Sequence, residues 1–270
     1  MKIALISIEI VPGRPDLNTA ALRQKISEAK AAHAALALFP ALSLSGLFLG
    51  GVWNQKAFLR DLAAYAEEIA ADADGITVLF GNAAQTGSCT GVRRTLMEAR
   101  NGVLREVAET PLHGTGTKFS PLLYELPNEN IILAADASPF PTCFDAATLA
   151  ALAREKGKAI FYLNMLGLQD RGKTVYAFPG RAHVFNASGE RILMAPAYTE
   201  GLTVLDTAQL PPVCTVPQVP PIAPVHRMLR YAVQKFLARI HMERVVIGIS
   251  GGIDSAVAAA LYTDAIGAEN

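Results

Sequence analysis

The run Val245-Val246-Ile247-Gly248-Ile249-Ser250-Gly251-Gly252-Ile253-Asp254-Ser255 decides how the C-terminal part of the chain is read. A β-rich stretch feeds a glycine turn, and the turn feeds an Ala-rich segment at helical spacing. This is the local recipe for a phosphate cradle. Glycines let backbone approach an anion closely, and the free N–H groups of a helix N-terminus point at it. Ser250 and Ser255 add hydroxyl donors. Asp254 cannot favour a bare phosphate by its charge, so it is read as a cap or as a ligand to a hard cation bridging phosphates. A lone Gly-Gly pair is better explained as a tight turn. Here the glycines, both serines and the aspartate coincide, which favours the cradle. The GxxxxGK[ST] pattern is absent, so an ordinary P-loop NTPase is excluded.

Working outward, the 270 residues balance 24 Lys and Arg against 24 Asp and Glu. A field able to hold nucleic acid or an anionic membrane non-specifically is therefore not expected. Cys89, Cys143 and Cys214 show no CxxC spacing, which excludes a disulfide scaffold and a Cys-based zinc module. They fit a reducing, cytoplasmic compartment. The five His show no ligand spacing. No apolar run reaches the roughly 18 residues of a membrane span. MKIALISIEI is read as a strand rather than a signal peptide, since Glu9 interrupts it and no small-residue cleavage site follows.

Hydrophobic periodicity switches between two values along the chain. Strands are expected at Lys2–Ile8, Leu36–Phe39, Ile76–Gly81, Asn130–Ala135, Ala159–Asn164 and Leu202–Leu205. Hairpins are expected across Asn101-Gly102, between Val92–Met97 and Val103–Val107, and across Ser188-Gly189, between Arg181–Phe185 and Arg191–Met194. Helices are expected at Thr19–Ala35, with Thr19 as N-cap, at Gln55–Ala71, and at Asp145–Lys156, ended by Gly157. Six prolines between Pro211 and Pro224 predict an extended linker. Beyond it a helix is expected over Val225–Arg239, a buried strand over Arg244–Ile249 and a helix over Ile253–Ile266. A lone strand-loop-helix cannot complete an α/β domain, so a truncated domain ending at Asn270 is expected.

SGGIDS resembles the pyrophosphate-binding loop of the N-type ATP pyrophosphatases. Residues Val225 to Asn270 as a whole resemble the opening of a NAD synthetase domain. The resemblance implies adenylation of the carboxylate of nicotinic acid adenine dinucleotide by ATP, followed by displacement of AMP by ammonia. It implies ATP binding by Gly248, Ile249, Ser250, Gly251, Gly252, Ile253, Asp254 and Ser255, with Asp254 at the position associated with Mg²⁺. The 270 residues alone are expected to be inactive in that reaction.

Residues 1–208 resemble the nitrilase-type (carbon–nitrogen hydrolase) amidase domain that precedes the synthetase in glutamine-dependent NAD synthetases. Ala37 to Gly46 (ALFPALSLSG) resembles the FPEL-x-L-x-G segment. Ala137-Ser138-Pro139-Phe140 resembles the SASP-like segment, and Tyr162-Leu163-Asn164 through Gly167, Gln169 and Asp170 resembles VN-x-x-G-x-QD. The implied architecture is a four-layer αββα sandwich (1–208), a Pro-rich linker (209–224) and the first strand-loop-helix of an adenine-nucleotide α/β domain (225–270). The implied partners are nicotinic acid adenine dinucleotide, ATP, and glutamine or ammonia, in a homo-oligomer.

The family's amidase chemistry uses a Cys nucleophile, a Glu base and a Lys that stabilises the oxyanion. In this sequence the Glu position is Ala41, and the Lys position falls near Glu109. The Ile-Cys-Glu-Asp stretch is reduced to Leu123-Tyr124-Glu125-Leu126, with Tyr124 where Cys would sit, and about a helix of chain is missing before Asn130. The triad is thus expected to be lost. Cys89 and Cys143 are read as incidental, although a helix N-terminus after Cys143 could lower its thiol pKa. His113 to Lys118 is read as a solvated loop rather than an anion site. Phe48, Leu49 and Trp53 are read as packing. The rival function is a non-catalytic scaffold or oligomerisation domain of an ammonia-using synthetase. A bare amidase is opposed by Ala41 and by the intact loop.

Overall fold

The structure, a computed structural model, describes residues 1–86, 91–112, 120–142, 145–215 and 219–270. Two sheets carry the fold. The first has six strands in the order β13-β1-β2-β3-β4-β5: Gly201–Asp206, Lys2–Ser7, Leu36–Leu38, Thr77–Gln85, Val92–Arg100 and Val103–Pro111. The second has five, in the order β12-β11-β8-β7-β6: Arg191–Met194, Ala182–Phe185, Ala159–Asn164, Ile131–Asp136 and Leu122–Glu125. Strands β9 (Leu166–Asp170) and β10 (Val175–Pro179) form a separate antiparallel pair. Helices α1 (Pro15–Ala31) and α2 (Lys56–Ala71) cover the outside of the first sheet, and α3 (Ala146–Lys156) covers the second.

The layers follow from burial. β1, β7 and β8 are apolar on both faces, as strands sandwiched between two layers must be. One core joins Ile3 and Leu5 of the first sheet to Leu133, Phe161 and Val184 of the second. A second core on the far face of the second sheet joins Ile132, Ile160, Tyr162 and Phe185 to Leu149 and Ala153 of α3. The order helix, sheet, sheet, helix is the αββα sandwich.

Turn chemistry sits where the sequence puts it. Asn101 and Gly102 take φ of 50° and 75°, the pair of positive values that a two-residue β4–β5 turn needs. The Asp145 carboxylate caps α3 by accepting the Thr148 N–H at 2.7 Å, and Gly157 ends the helix at φ 61°. Phe48, Trp53 and Leu49 do pack. The ring of Phe48 lies 4.7 Å from that of Tyr176, Trp53 lies edge-on to Phe58, and Leu49 rests on the main core.

Three expectations need correction, and three strands came unannounced. Helix α1 starts at Pro15, so Thr19 is a buried residue inside it rather than its cap. Proline at the first helical position explains the earlier start, because its missing N–H would be unpaired there anyway. Helix α4 (Ile222–Arg239) likewise begins before Val225, with Pro224 accommodated in its first turn. The hairpin β9–β10 and the short strand β6 had no clear alternation to announce them. Residues 244–249 form no strand: Val246 is fully exposed and Ile249 is 59% exposed, because among the described residues no strand pairs with them. Helix α5 (Ile253–Ile266) forms as expected.

Candidate functional site

The sequence points to two places, the amidase-like positions, where the triad is expected to be lost, and the glycine loop, where ATP binding is expected. The first is built on the loop that leaves β2. Phe39 N–H donates to the Leu79 carbonyl, Gly81 N–H donates to the Pro40 carbonyl, and the Ser43 hydroxyl donates to the Gly81 carbonyl. The loop lies directly on β3: a Cβ on Gly81 would stand 2.1 Å from the Leu42 nitrogen and 2.4 Å from Ala41 Cα. Glycine is therefore required there. From this loop the Ala41 N–H donates 3.2 Å to the Asp136 carbonyl at the end of β7. Ala41 is fully buried, with its methyl in the main core. Nothing on that side chain can take or give a proton.

Glu109 and Tyr124, the residues expected at the other two triad positions, are both engaged in other contacts. Glu109 is exposed on the edge strand β5 and forms an ion pair with Arg93, which also holds Glu106. Tyr124 is half-buried on β6, where its hydroxyl donates 2.8 Å to the Glu98 carboxylate of β4. Burial, helped by that carboxylate, pushes the phenol up to about 12, so it is a neutral donor. Strand β6 turns straight back into β7 through residues 126–130 and pairs with it antiparallel, Tyr124 opposite Leu133. A parallel crossover needs a dozen or more residues, and this connection has no room for a helix. Cys89, Cys143 and His113 to Lys118 lie outside the described residues.

A buried polar network that sequence reading missed occupies the ends of β7 and β8. Asp136 is fully buried and accepts from Ala137 N–H (2.7 Å), the Ser138 hydroxyl (2.8 Å) and the Tyr162 hydroxyl (2.7 Å). Burial pushes its carboxyl above the usual range, against the pull of those three donors and of the Arg94 charge. Asn164 closes the network by accepting from the Ser138 and Met165 N–H groups and donating to the Ser138 carbonyl. Arg94, 2% exposed, donates to the Thr110 hydroxyl and the Ser120 carbonyl. The signals were thin: an Asp before Ser-Pro, and an inward Arg disguised beside an outward Arg93. Gln169 has a clear role, since its side-chain carbonyl accepts from the Leu47 and Phe48 N–H groups and holds the loop after Gly46.

The second candidate site is open. Gly252 precedes α5 in extended conformation, and Gly251 takes φ 85°. Ser255 Oγ donates to the Gly252 carbonyl and accepts the Ser250 N–H at 3.2 Å, so the two serines fasten the loop across its base. Gly248, Ile249, Ser250, Gly251, Gly252, Ile253 and Asp254 are exposed. A Cβ at Gly248 or Gly251 would meet nothing within 4 Å. Asp254 sits in the first turn of α5. Backbone donors, two hydroxyls and one carboxylate with open space around them suit a phosphate chain accompanied by a hard cation, which takes its remaining ligands from water and phosphate. Among the described residues no group of three or more His, Cys, Asp or Glu could hold a metal unaided.

Comparison with known proteins adds a lineage to this geometry. Residues 225–270 match the sequence profile of the NAD synthase family. Across 99% of its length the chain is 27% identical to a glutamine-dependent NAD(+) synthetase from Acinetobacter baylyi, of which it covers 56%. It is 28% identical over all its length to the enzyme of that name from Xylella fastidiosa, covering 57% of it. The chain thus spans a little over half the length of these curated relatives. Among solved structures, the glutamine-dependent NAD+ synthetase of Acinetobacter baumannii in complex with ADP superposes with a TM-score of 0.79 at 23% identity, covering 99% of this chain and 58% of that one. A cysteine-to-serine mutant of the Nesterenkonia AN1 amidase, of the nitrilase superfamily, gives a TM-score of 0.59 at 19% identity, over 76% of this chain and 91% of the amidase. These likenesses establish the nitrilase-like fold.

Proposed function

We propose that this chain, homologous along its length to glutamine-dependent NAD(+) synthetases, contributes an amidase-like half and the opening of the synthetase half to an ATP-dependent enzyme that amidates nicotinic acid adenine dinucleotide to NAD. In this reading residues 1–208 are the amidase-like domain, 209–224 the linker and 225–270 the start of the synthetase domain. The amidase half does not hydrolyse glutamine. The observation that carries this is Ala41: a buried methyl stands where the chemistry needs a base.

Amide hydrolysis by this route needs a nucleophile, a proton carrier and a positive charge at the developing oxyanion. Tyr124 is a protonated phenol committed to Glu98, and Glu109 brings the wrong sign of charge and is tied to Arg93. What remains of the site is structural. The Ala41–Asp136 link and the network behind it hold the two sheets together.

At the glycine loop, the N–H groups of Gly251 and Ile253 would hold the ATP phosphates, joined by that of Gly252 once it leaves Ser250 Oγ, to which it donates at 3.4 Å, and Asp254 would bind Mg²⁺ beside them. ATP, when bound, supplies the adenylyl group that activates the carboxylate. The residues here position the phosphates, and the serine clasp pre-sets the loop. A cytoplasmic location accords with three cysteines that show no CxxC spacing, of which Cys214 is a free thiol. No helix among the described residues is long and apolar enough to cross a membrane.

A second reading has its own support. With all three triad positions diverted, residues 1–208 act as a scaffold or oligomerisation domain, and the enzyme takes free ammonia. The test is NAD synthesis by an enzyme carrying these residues with a complete synthetase domain. Synthesis with ammonia and none with glutamine is expected. Equal rates with glutamine would reject the loss of the amidase.

A further inference from the structure

A cavity of about 450 Å³ lies on the outer face of the second sheet, between that sheet and the start of α4, and Ala41, Tyr124 and Glu109 do not line it. That volume is within the range of sites for small organic molecules. Its walls are mainly apolar, with Phe140, Met194 and Tyr198 prominent. Asn164, Tyr162 and Tyr198 bring neutral polar groups to it, and its charged groups are all cationic. Arg181 and His183 come from the start of β11, Arg191 from β12 and Arg227 from α4. Among the described residues no Asp or Glu lines it.

Nearby carboxylates are already used. Asp136 lies behind the wall and holds the hydroxyl of Tyr162, and Glu190 holds the side chain of Asn186. Among the described residues neither Arg191 nor Arg227 has an ion-pair partner; Arg191 lies over the ring of Phe185, 5.3 Å from its centroid. His183 Nδ1 and Arg191 Nε are buried with no hydrogen-bond partner. Buried polar groups without partners, the Arg191 Nε–H donor above all, are costly, and native proteins rarely keep them unless something fills the need. Burial first, then the charges of Arg191 and Arg181, push His183 down to about 3, so its ring is neutral and the surrounding field is positive.

We infer that this cavity is a binding site for a small organic anion, with a carboxylate or phosphate head held by Arg191, His183 and Arg227 and a flat apolar body lying against Phe140 and Tyr198. The roof is firm enough to make a pocket. Tyr231 of α4 stacks on Tyr198 at 4.7 Å, and Lys235 and Arg239 of the same helix pair with Glu9. The site is independent of the glutamine and ATP chemistry above and stands or falls without it.

The test is titration of the purified chain with benzoate, phenyl phosphate, inorganic phosphate and benzyl alcohol, read by the NMR signals of the His183 ring. Benzoate or phenyl phosphate should bind saturably and shift those signals, and the preferred one identifies the head group. Arg227 is exposed, so Arg227→Gln should leave the fold intact; it and Arg191→Gln should each weaken binding about ten-fold or more. Saturation by inorganic phosphate alone would reject the apolar subsite. Failure of both aromatic anions to bind by about 1 mM, equal binding of benzyl alcohol, or unchanged affinity in both variants would overturn the proposal.

Discussion

The Ala41 N–H donates to the Asp136 carbonyl across 3.2 Å, tying the loop after β2 to the end of β7. The link fixes the Ala41 methyl in the core between the sheets. Placing an acid at this position should therefore not create amidase chemistry. Ala41→Glu places a carboxyl in a packed apolar site, which costs at least about 2 kcal/mol. For a domain of this size that is a fall in Tm of roughly 4–8 °C. Thermal unfolding and a glutaminase assay on the same variant check both halves of the statement: lower Tm, and no ammonia released.

The Tyr124–Glu98 hydrogen bond joins the edge of the second sheet to β4 of the first. Tyr124→Phe should cost about 1 kcal/mol, the ordinary net worth of such a bond. Tm should fall by roughly 2–4 °C. If the hydroxyl were a nucleophile, the same change would abolish an activity; here it should change stability alone.

The pH dependence of stability carries a mark of His183. Its folded value, about 3, lies below the ordinary 6.5, so the unfolded chain binds its proton more readily. The stability from keeping the ring neutral is complete above about 6.5 and is lost as pH falls towards 3. His183→Gln should reduce the loss of stability between pH 6.5 and 4, measured by denaturant midpoints against the parent. Asp136 runs the other way. Its folded value is raised, so its contribution declines as pH rises through the carboxylate range, and Asp136→Asn should gain on the parent at higher pH.

Much of this was legible beforehand, for identifiable reasons. Asn101-Gly102, Asp145 and Gly157 announce local backbone geometry that only a few residue types satisfy, and those elements fell where expected. Ala41 drew attention because its flanking residues resemble a known pattern. The Arg94 and Asp136 side chains were not readable. A buried charge looks like any surface charge until its partners, Thr110, Ser120 and Tyr162, are brought in from elsewhere in the chain. The cavity at His183 and Arg191 was hidden for the same reason, since it gathers residues from β11, β12 and α4. The expected strand at 244–249 had the right composition, but a strand exists only through its neighbours, and none pairs with it among the described residues.

That unpaired run bears on the glycine loop. Its donors are fastened to one another by Ser250 and Ser255, yet no sheet among the described residues supports them from beneath. The 270-residue chain should bind ATP weakly, and it should not form NAD from nicotinic acid adenine dinucleotide with ATP and ammonia. In an enzyme with a complete synthetase domain, Gly252→Val should abolish ATP-dependent synthesis by crowding the approach of the phosphates. Isothermal titration with ATP and a synthesis assay check these. Undiminished synthesis in Gly252→Val would remove the loop from the mechanism.

Glutamine hydrolysis by the purified chain is the assay that decides whether the amidase-like half is inactive. Removing a positioned acid–base group costs about 10² to 10⁴ in rate, and losing an oxyanion donor about 10² to 10³. These effects are not additive, because the groups act as a unit. Ammonia release should be measured for the parent and for Cys143→Ala, the variant that removes the thiol closest in sequence to the Ser138-Pro139 segment. No release above the enzyme-free rate is expected in either protein. Turnover comparable to an ordinary amidase in the parent, lost in Cys143→Ala, would contradict it.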